Sequence, residues 1–151
     1  MDTPEDILLR ARERARQSDL PYAGALLPAE AQALREQNPA AVLVDVRTQA
    51  ELDWVGGIPG AVHLEWNTYP GGARNPRFAE QLQQAVPARD APVMFLCRSG
   101  ARSHGAASLA ASLGYRDAYN VLEGFEGDRD AAGHRATVGG WKHTGLPWRQ
   151  S

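Results

Sequence analysis

Short apolar runs alternate with amphipathic segments along the chain, and this alternation predicts the order of strands and helices. The apolar runs have the length of buried strands and occupy residues 23–27, 41–44, 61–64, 93–96 and 118–122. The segments between them repeat apolar residues every three or four positions, as one face of a helix does. Because strands and helices alternate, we expect an α/β fold with a mostly parallel sheet and helices on both faces.

The first residues predict a helix ahead of the first strand. Thr3 can cap its N-terminus, and Pro4 suits its first turn. Its apolar stripe consists of Ile7, Leu8, Ala11 and Ala15. We expect this stripe to pack on the rest of the protein while the arginines between face solvent. The chain is therefore divided into a helical extension over residues 1–22 and one domain over residues 23–151.

Two further expectations concern burial. In the helix expected over residues 28–37, the inward positions are Ala29, Ala33 and Leu34. Trp54 and Trp66 are expected to pack in the core or at its rim, because burying so large an apolar surface is favourable.

The only cysteine in the sequence, Cys97, lies where a strand turns into a helix. Four apolar residues lead into it, Gly100 lies in the short loop that follows, and helical spacing begins at Ser103. Such a turn points backbone N–H groups and the positive end of a helix dipole at one spot. Arg98 and Arg102 add positive charge, so a thiol at this position should ionise readily. We interpret Cys97 as a nucleophile rather than as a buried hydrophobic residue.

The spacing of the loop indicates what this nucleophile attacks. Loops that cradle a phosphate ester for thiolate attack usually carry five residues between the cysteine and the arginine, whereas four separate Cys97 from Arg102. The shorter loop should fit a group smaller than phosphate, such as a single terminal sulfur on the cysteine. A cysteine phosphatase or an arsenate reductase is therefore the less favoured alternative.

Composition narrows the class of protein. The 151 residues are 43% apolar and 23% charged with a formal net charge of −2, which indicates one globular domain and argues against nucleic-acid or membrane partners. A single cysteine cannot form an internal disulfide, and no segment has the length of a membrane span, so we expect a cytoplasmic protein. His134 and His143 lack the spacing of metal ligands, so no metal is expected.

The six residues from Cys97 to Arg102 resemble the active-site loop of the rhodaneses, a family of sulfurtransferases. The resemblance covers most of residues 25–148, and its other motifs are Val44–Arg47, Glu51, Gly57–Ala61, Val121–Gly124 and Gly145–Pro147. In relatives a tryptophan follows the Gly-Gly turn closely, whereas Trp141 comes late here. The resemblance therefore implies a single rhodanese-like domain with an inserted loop near residues 127–140.

The resemblance also implies an activity and a set of residues. Cys97 would take the outer sulfur of thiosulfate as a persulfide and pass it to cyanide or a thiol, without a cofactor. The residues expected to bind the substrate are Arg98, Ser99, Gly100, Ala101 and Arg102. Asp45, Arg47 and Glu51 are expected to support the neighbouring loops. Two alternatives stay open, namely a persulfide carrier that serves a protein acceptor and a non-catalytic rhodanese-like module.

Overall fold

Five parallel strands form one sheet in the computed structural model, which describes residues 2–150. The strands are β1 (Gly24–Leu26), β2 (Val42–Asp45), β3 (Val62–His63), β4 (Val93–Leu96) and β5 (Ala118–Val121). Their order across the sheet is β1-β5-β4-β2-β3, so β4 lies at the centre and every residue of it is buried. An all-parallel sheet with helices on both faces confirms the predicted fold class.

Helices cover both faces of this sheet. Their bounds are α1 (Pro4–Ser18), α2 (Pro28–Gln37), α3 (Gln49–Val55), α4 (Phe78–Ala85), α5 (Ala101–Ser112) and α6 (Trp141–Thr144). Side chains alternate across β4, so Phe95 packs with α4 and α5 on one face while Met94 packs with α1, α2 and α6 on the other. Cys97 continues the first of these sets, and its side chain therefore points towards α5.

The N-terminal helix α1 packs against the edge strand β1. Thr3 caps it through a capping box, and its buried residues Ile7, Ala11 and Ala15 confirm the predicted stripe. Contact with β1 is close because a Cβ on Gly24 would lie 2.6 Å from the Ala11 carbonyl oxygen. The helix is thereby held on the same apolar layer as α2 and α6.

Several finer expectations differ from the structure. In α2 the inward residues are Ala31 and Leu34, whereas Ala29 is exposed, because the small alanine gives a weak periodic signal. Helix α5 begins at Ala101 rather than Ser103, since Gly100 with a φ of 111° ends the loop before it. Trp66 is buried as expected, but Trp54 is 75% exposed.

The segment 127–140 contains neither helix nor strand, and hydrogen bonds to the side chain of one aspartate connect several of its residues. Asp130 accepts hydrogen bonds from the backbone N–H groups of Ala132 and His134 and from the Thr137 hydroxyl. Among residues 2–150, no helix is both long enough and apolar enough to cross a membrane.

Candidate active site

Cys97 lies at the end of the central strand, one short turn before α5. Its side chain is only 1% exposed, and the backbone N–H of Gly100 donates a hydrogen bond to Sγ over 3.1 Å. The positive φ of Gly100, which other residues rarely adopt, allows the turn to bring this N–H to the sulfur. The first N–H groups of α5 have no acceptor within the helix, and its dipole places positive potential beside the thiol. Both features place hydrogen-bond donors and positive potential beside the sulfur.

Two polar side chains behind the sulfur hold the turn in this conformation. The hydroxyl of Ser103 lies 3.3 Å from Sγ of Cys97 and donates to Oδ1 of Asn120 over 2.5 Å. The Asn120 amide in turn donates to the carbonyl oxygen of Gly100 over 3.2 Å. Neither residue has a role predicted from the sequence, although Asn120 is a polar residue within the apolar run of β5. The network fixes the peptide groups of Gly100 relative to the sulfur.

Arg102 pairs with a glutamate rather than pointing at the sulfur. Its two terminal nitrogens donate to the two carboxylate oxygens of Glu51 over 2.7 and 2.8 Å. Burial by itself raises the pKa of Glu51, but hydrogen bonds from Arg102 and Thr48 outweigh it and lower that pKa to about 2. The first turn of α5 thus directs Arg102 towards α3, while Arg98 is exposed.

The remaining loop residues form the rim of the site. Arg98 and Ala101 are exposed and Ser99 is half-buried. The backbone behind them is held by residues after Gly124, because Phe125 N–H donates to the carbonyl of Cys97 over 2.8 Å. The next N–H groups, those of residues 126 and 127, donate to the carbonyl of Arg98. The loop is therefore braced from behind by a second backbone segment.

Asp45 and Arg47 form a fully buried ion pair beside the loop. Arg47 donates to both carboxylate oxygens of Asp45, the shortest distance being 2.7 Å, and also to the carbonyl of Gly56 over 2.9 Å. Its guanidinium lies 4.1 Å from the centre of the Phe125 ring. The pair thus connects β2, the end of α3 and the segment that braces the loop. Their role as structural support stays a prediction.

A cavity of about 410 Å³ opens beside the loop. It is lined by α3 and its N-cap, by the loop after β3, and by two arginines of the Cys97 loop. The lining residues are Thr48, Ala50, Glu51, Trp54, Val55, Asn67, Thr68, Tyr69, Gly72, Arg98 and Arg102. Within residues 2–150, no group of three or more histidine, cysteine or acidic side chains is arranged to hold a metal ion.

Comparison with known proteins assigns the family. A family model described as a rhodanese-like domain matches residues 27–131. Protein RP600 of Rickettsia prowazekii is 37% identical over 113 residues, which are 74% of this chain and 85% of RP600. The thiosulfate sulfurtransferase GlpE of Tolumonas auensis is 31% identical over 102 residues, 68% of this chain and 85% of GlpE.

A solved structure agrees with the sequence matches. The crystal structure of Rv0390 from M. tuberculosis is 46% identical and superposes with a TM-score of 0.78, covering 86% of this chain and 99% of Rv0390. The family match includes Cys97 and the whole of its loop. With its parallel sheet and its cysteine at the turn into α5, the chain belongs to the rhodanese-like family.

Proposed function

We propose that this protein is a sulfurtransferase that carries a sulfane sulfur as a persulfide on Cys97. The observation that carries the proposal is the N–H of Gly100 donating to Sγ at the N-terminus of a helix, which is the type of surroundings in which nucleophilic cysteines lie. In the first half-reaction this thiolate attacks the outer sulfur of thiosulfate. The sulfur–sulfur bond of thiosulfate breaks, its electron pair leaves with sulfite, and Cys97 retains the outer sulfur.

The loop is suited to stabilise the sulfur that remains. Four residues separate Cys97 from Arg102, so the backbone N–H groups surround a smaller space than a phosphate-binding loop would. Preorganised N–H groups aimed at a charged atom are an effective way to lower a barrier. Because Glu51 neutralises Arg102, the attraction of the dianionic donor falls mainly to exposed Arg98.

In the second half-reaction an acceptor removes the sulfur. Cyanide or a thiolate attacks the outer sulfur of the persulfide, and the electron pair of the broken bond returns to Cys97. The Gly100 N–H that donates to Sγ is placed to stabilise the negative charge that returns to this sulfur as it leaves. The proposed mechanism has no general base, because Cys97 attacks as a thiolate in the first step.

Mass spectrometry after mixing with thiosulfate tests the proposal. We expect one added sulfur atom on Cys97, one equivalent of sulfite, and thiocyanate after addition of cyanide, with none of these in Cys97→Ser. A persulfide that neither cyanide nor small thiols discharge would instead indicate a carrier for a protein acceptor. No persulfide and no sulfite would refute sulfur transfer from thiosulfate. Efficient hydrolysis of an aryl phosphate without sulfur transfer would indicate a phosphatase.

A further inference from the structure

The cavity beside the loop is far larger than cyanide or thiosulfate requires, and two aromatic side chains stand in its wall. Trp54 and Tyr69 line it, although they are 75% and 63% exposed. We propose that this cavity binds the sulfur acceptor, a low-molecular-weight thiol with an apolar body and a carboxylate. The inference rests on the proposed function, which it deepens by assigning the class of acceptor.

The two aromatic residues of the cavity wall lie on ordered backbone segments. Trp54 projects from α3, whose residues Ala50 and Val55 also line the cavity. Tyr69 lies in a turn closed by backbone hydrogen bonds from Thr68 to Ala73 and from Gly72 to Thr68, of 2.8 and 2.9 Å. Large exposed aromatic side chains in a concave site are typical binding elements, because they lose little conformational entropy when covered.

The charged side chains of the cavity wall favour a ligand with a negative charge. Three charged side chains line the cavity, and two of them, Glu51 and Arg102, neutralise each other. Arg98 is exposed, and no acidic residue among residues 2–150 forms an ion pair with it. The cavity therefore carries one uncompensated positive charge next to an apolar wall. A ligand with a carboxylate and an apolar body matches this charge with the former and the apolar wall with the latter.

The position of the cavity suits transfer to a thiol of this size. Sγ of Cys97 is almost fully covered, so a bulky thiol cannot reach it directly. The outer sulfur of the persulfide extends about 2.05 Å further along the new bond. The acceptor thiolate attacks this outer sulfur, the bond to Sγ breaks, and its electron pair leaves with Cys97 as a thiolate. The outer sulfur keeps its negative charge in the new acceptor persulfide, so atoms and charge balance.

Acceptor preference provides the test. The first probe is para-(mercaptomethyl)benzoate, which has both an aromatic ring and a carboxylate. Benzyl mercaptan lacks the carboxylate, mercaptopropionate lacks the ring, and cyanide lacks both. The thiol group of all three thiols is bonded to an alkyl carbon. We expect the highest kcat/KM among the thiols for the first probe. Trp54→Ala and Tyr69→Ala should each lower its kcat/KM relative to cyanide by about 5- to 10-fold, as typical aromatic pair energies imply. Leu9→Ala, a matched change of an exposed apolar residue on α1, should leave this ratio at the wild-type value.

The carboxylate is tested separately. Arg98→Gln should remove the preference for para-(mercaptomethyl)benzoate over benzyl mercaptan, which we expect to be about 3-fold for an exposed ion pair. Ratios within two-fold of wild type in both aromatic variants would overturn the inference, and equal use of the two thiols by the wild-type protein would overturn the role of Arg98.

Failure of the proposed function would be recognised independently. A protein that forms no persulfide from thiosulfate would refute sulfur transfer but would still allow the cavity to be tested with para-toluate, which has no sulfur. Titration should shift the indole N–H NMR signal of Trp54, identified by its absence in Trp54→Ala. If this signal does not shift when para-toluate is added, the inference is overturned, whatever the outcome with thiosulfate.

Discussion

Gly124→Ala should damage the Cys97 loop from behind. Gly124 has a φ of 64°, and a Cβ on it would lie 2.5 Å from the carbonyl oxygen of Cys97 and 2.6 Å from the carbonyl carbon and oxygen of Arg98. Heavy atoms in van der Waals contact are about 3.5–4.0 Å apart, so the two backbone segments would have to separate by about 1 Å. All three atoms belong to the main chain, so no side-chain rotation can relieve the overlap.

The expected loss of stability has two parts. Left-handed backbone costs an alanine about 1–2 kcal/mol, and overpacking costs about 1–3 kcal/mol more. We therefore expect the free energy of unfolding to fall by about 2–5 kcal/mol. Separation would also weaken the hydrogen bond from Phe125 to Cys97 and shift the sulfur, and a displacement of about 1 Å can slow a reaction about 100-fold.

A matched glycine isolates the overlap from the backbone strain. Gly145 also has a positive φ, of 84°, but a Cβ on it would meet no atom within 4 Å. Denaturant unfolding of both variants should show a loss larger by about 1–3 kcal/mol in Gly124→Ala, which corresponds to the overlap alone. Sulfite release in a single turnover should slow at least 10-fold in Gly124→Ala only. Equal losses of stability in the two variants would refute the bracing of the loop by Gly124.

Three further predictions concern the residues around the sulfur. Cys97→Ser should fold like the wild type but release less than a few per cent of the sulfite, because a hydroxyl ionises far less readily than a thiol. Arg102→Ala should slow sulfite release by at least 10-fold, since it leaves the Glu51 carboxylate unpaired near the loop, whereas Arg98→Ala should give a smaller, salt-dependent rise in KM for thiosulfate. Because the pKa of Glu51 falls from 4.5 to about 2 on folding, stability present above pH 4.5 should be lost as the pH falls towards 2, amounting to about 1–2 kcal/mol after solvent screening.

Each of these predictions has a control. Sulfite release by folded Cys97→Ser would mean that another group carries the sulfur. Equal defects at several salt concentrations in the two arginine variants would contradict their separate roles. For the pH dependence, Glu51→Gln should reduce the change in unfolding midpoint between about pH 5 and pH 2, and the part that remains comes from other carboxylates with a lowered pKa, such as Glu30. Glu13→Gln, which removes an exposed glutamate paired with Arg16, should keep the wild-type slope.

The amino-acid sequence alone was sufficient for the order of the five strands and for the position of Cys97 at a strand-to-helix turn. Apolar runs of strand length and helical spacings are local signals, and the strand, Cys97, Gly100 and the start of α5 follow one another within a few residues. The chemistry expected at a strand-to-helix turn depends on this local geometry, so the sequence by itself predicts a nucleophilic role for Cys97, which stays a prediction. The resemblance to rhodaneses used the same local motif and its spacing.

Only the tertiary structure decided which side chains surround Cys97. Arg102 meets Glu51, and Asn120 meets Gly100, across 51 and 20 residues of sequence, so no local pattern could assign either contact. The sequence also could not predict that Trp54 is exposed. Helix α3 is only seven residues long and has no buried residue, so no hydrophobic periodicity defines its inner face. Packing of α3 beside the Cys97 loop makes that indole a wall of the cavity, and such packing arises only when distant segments fold together.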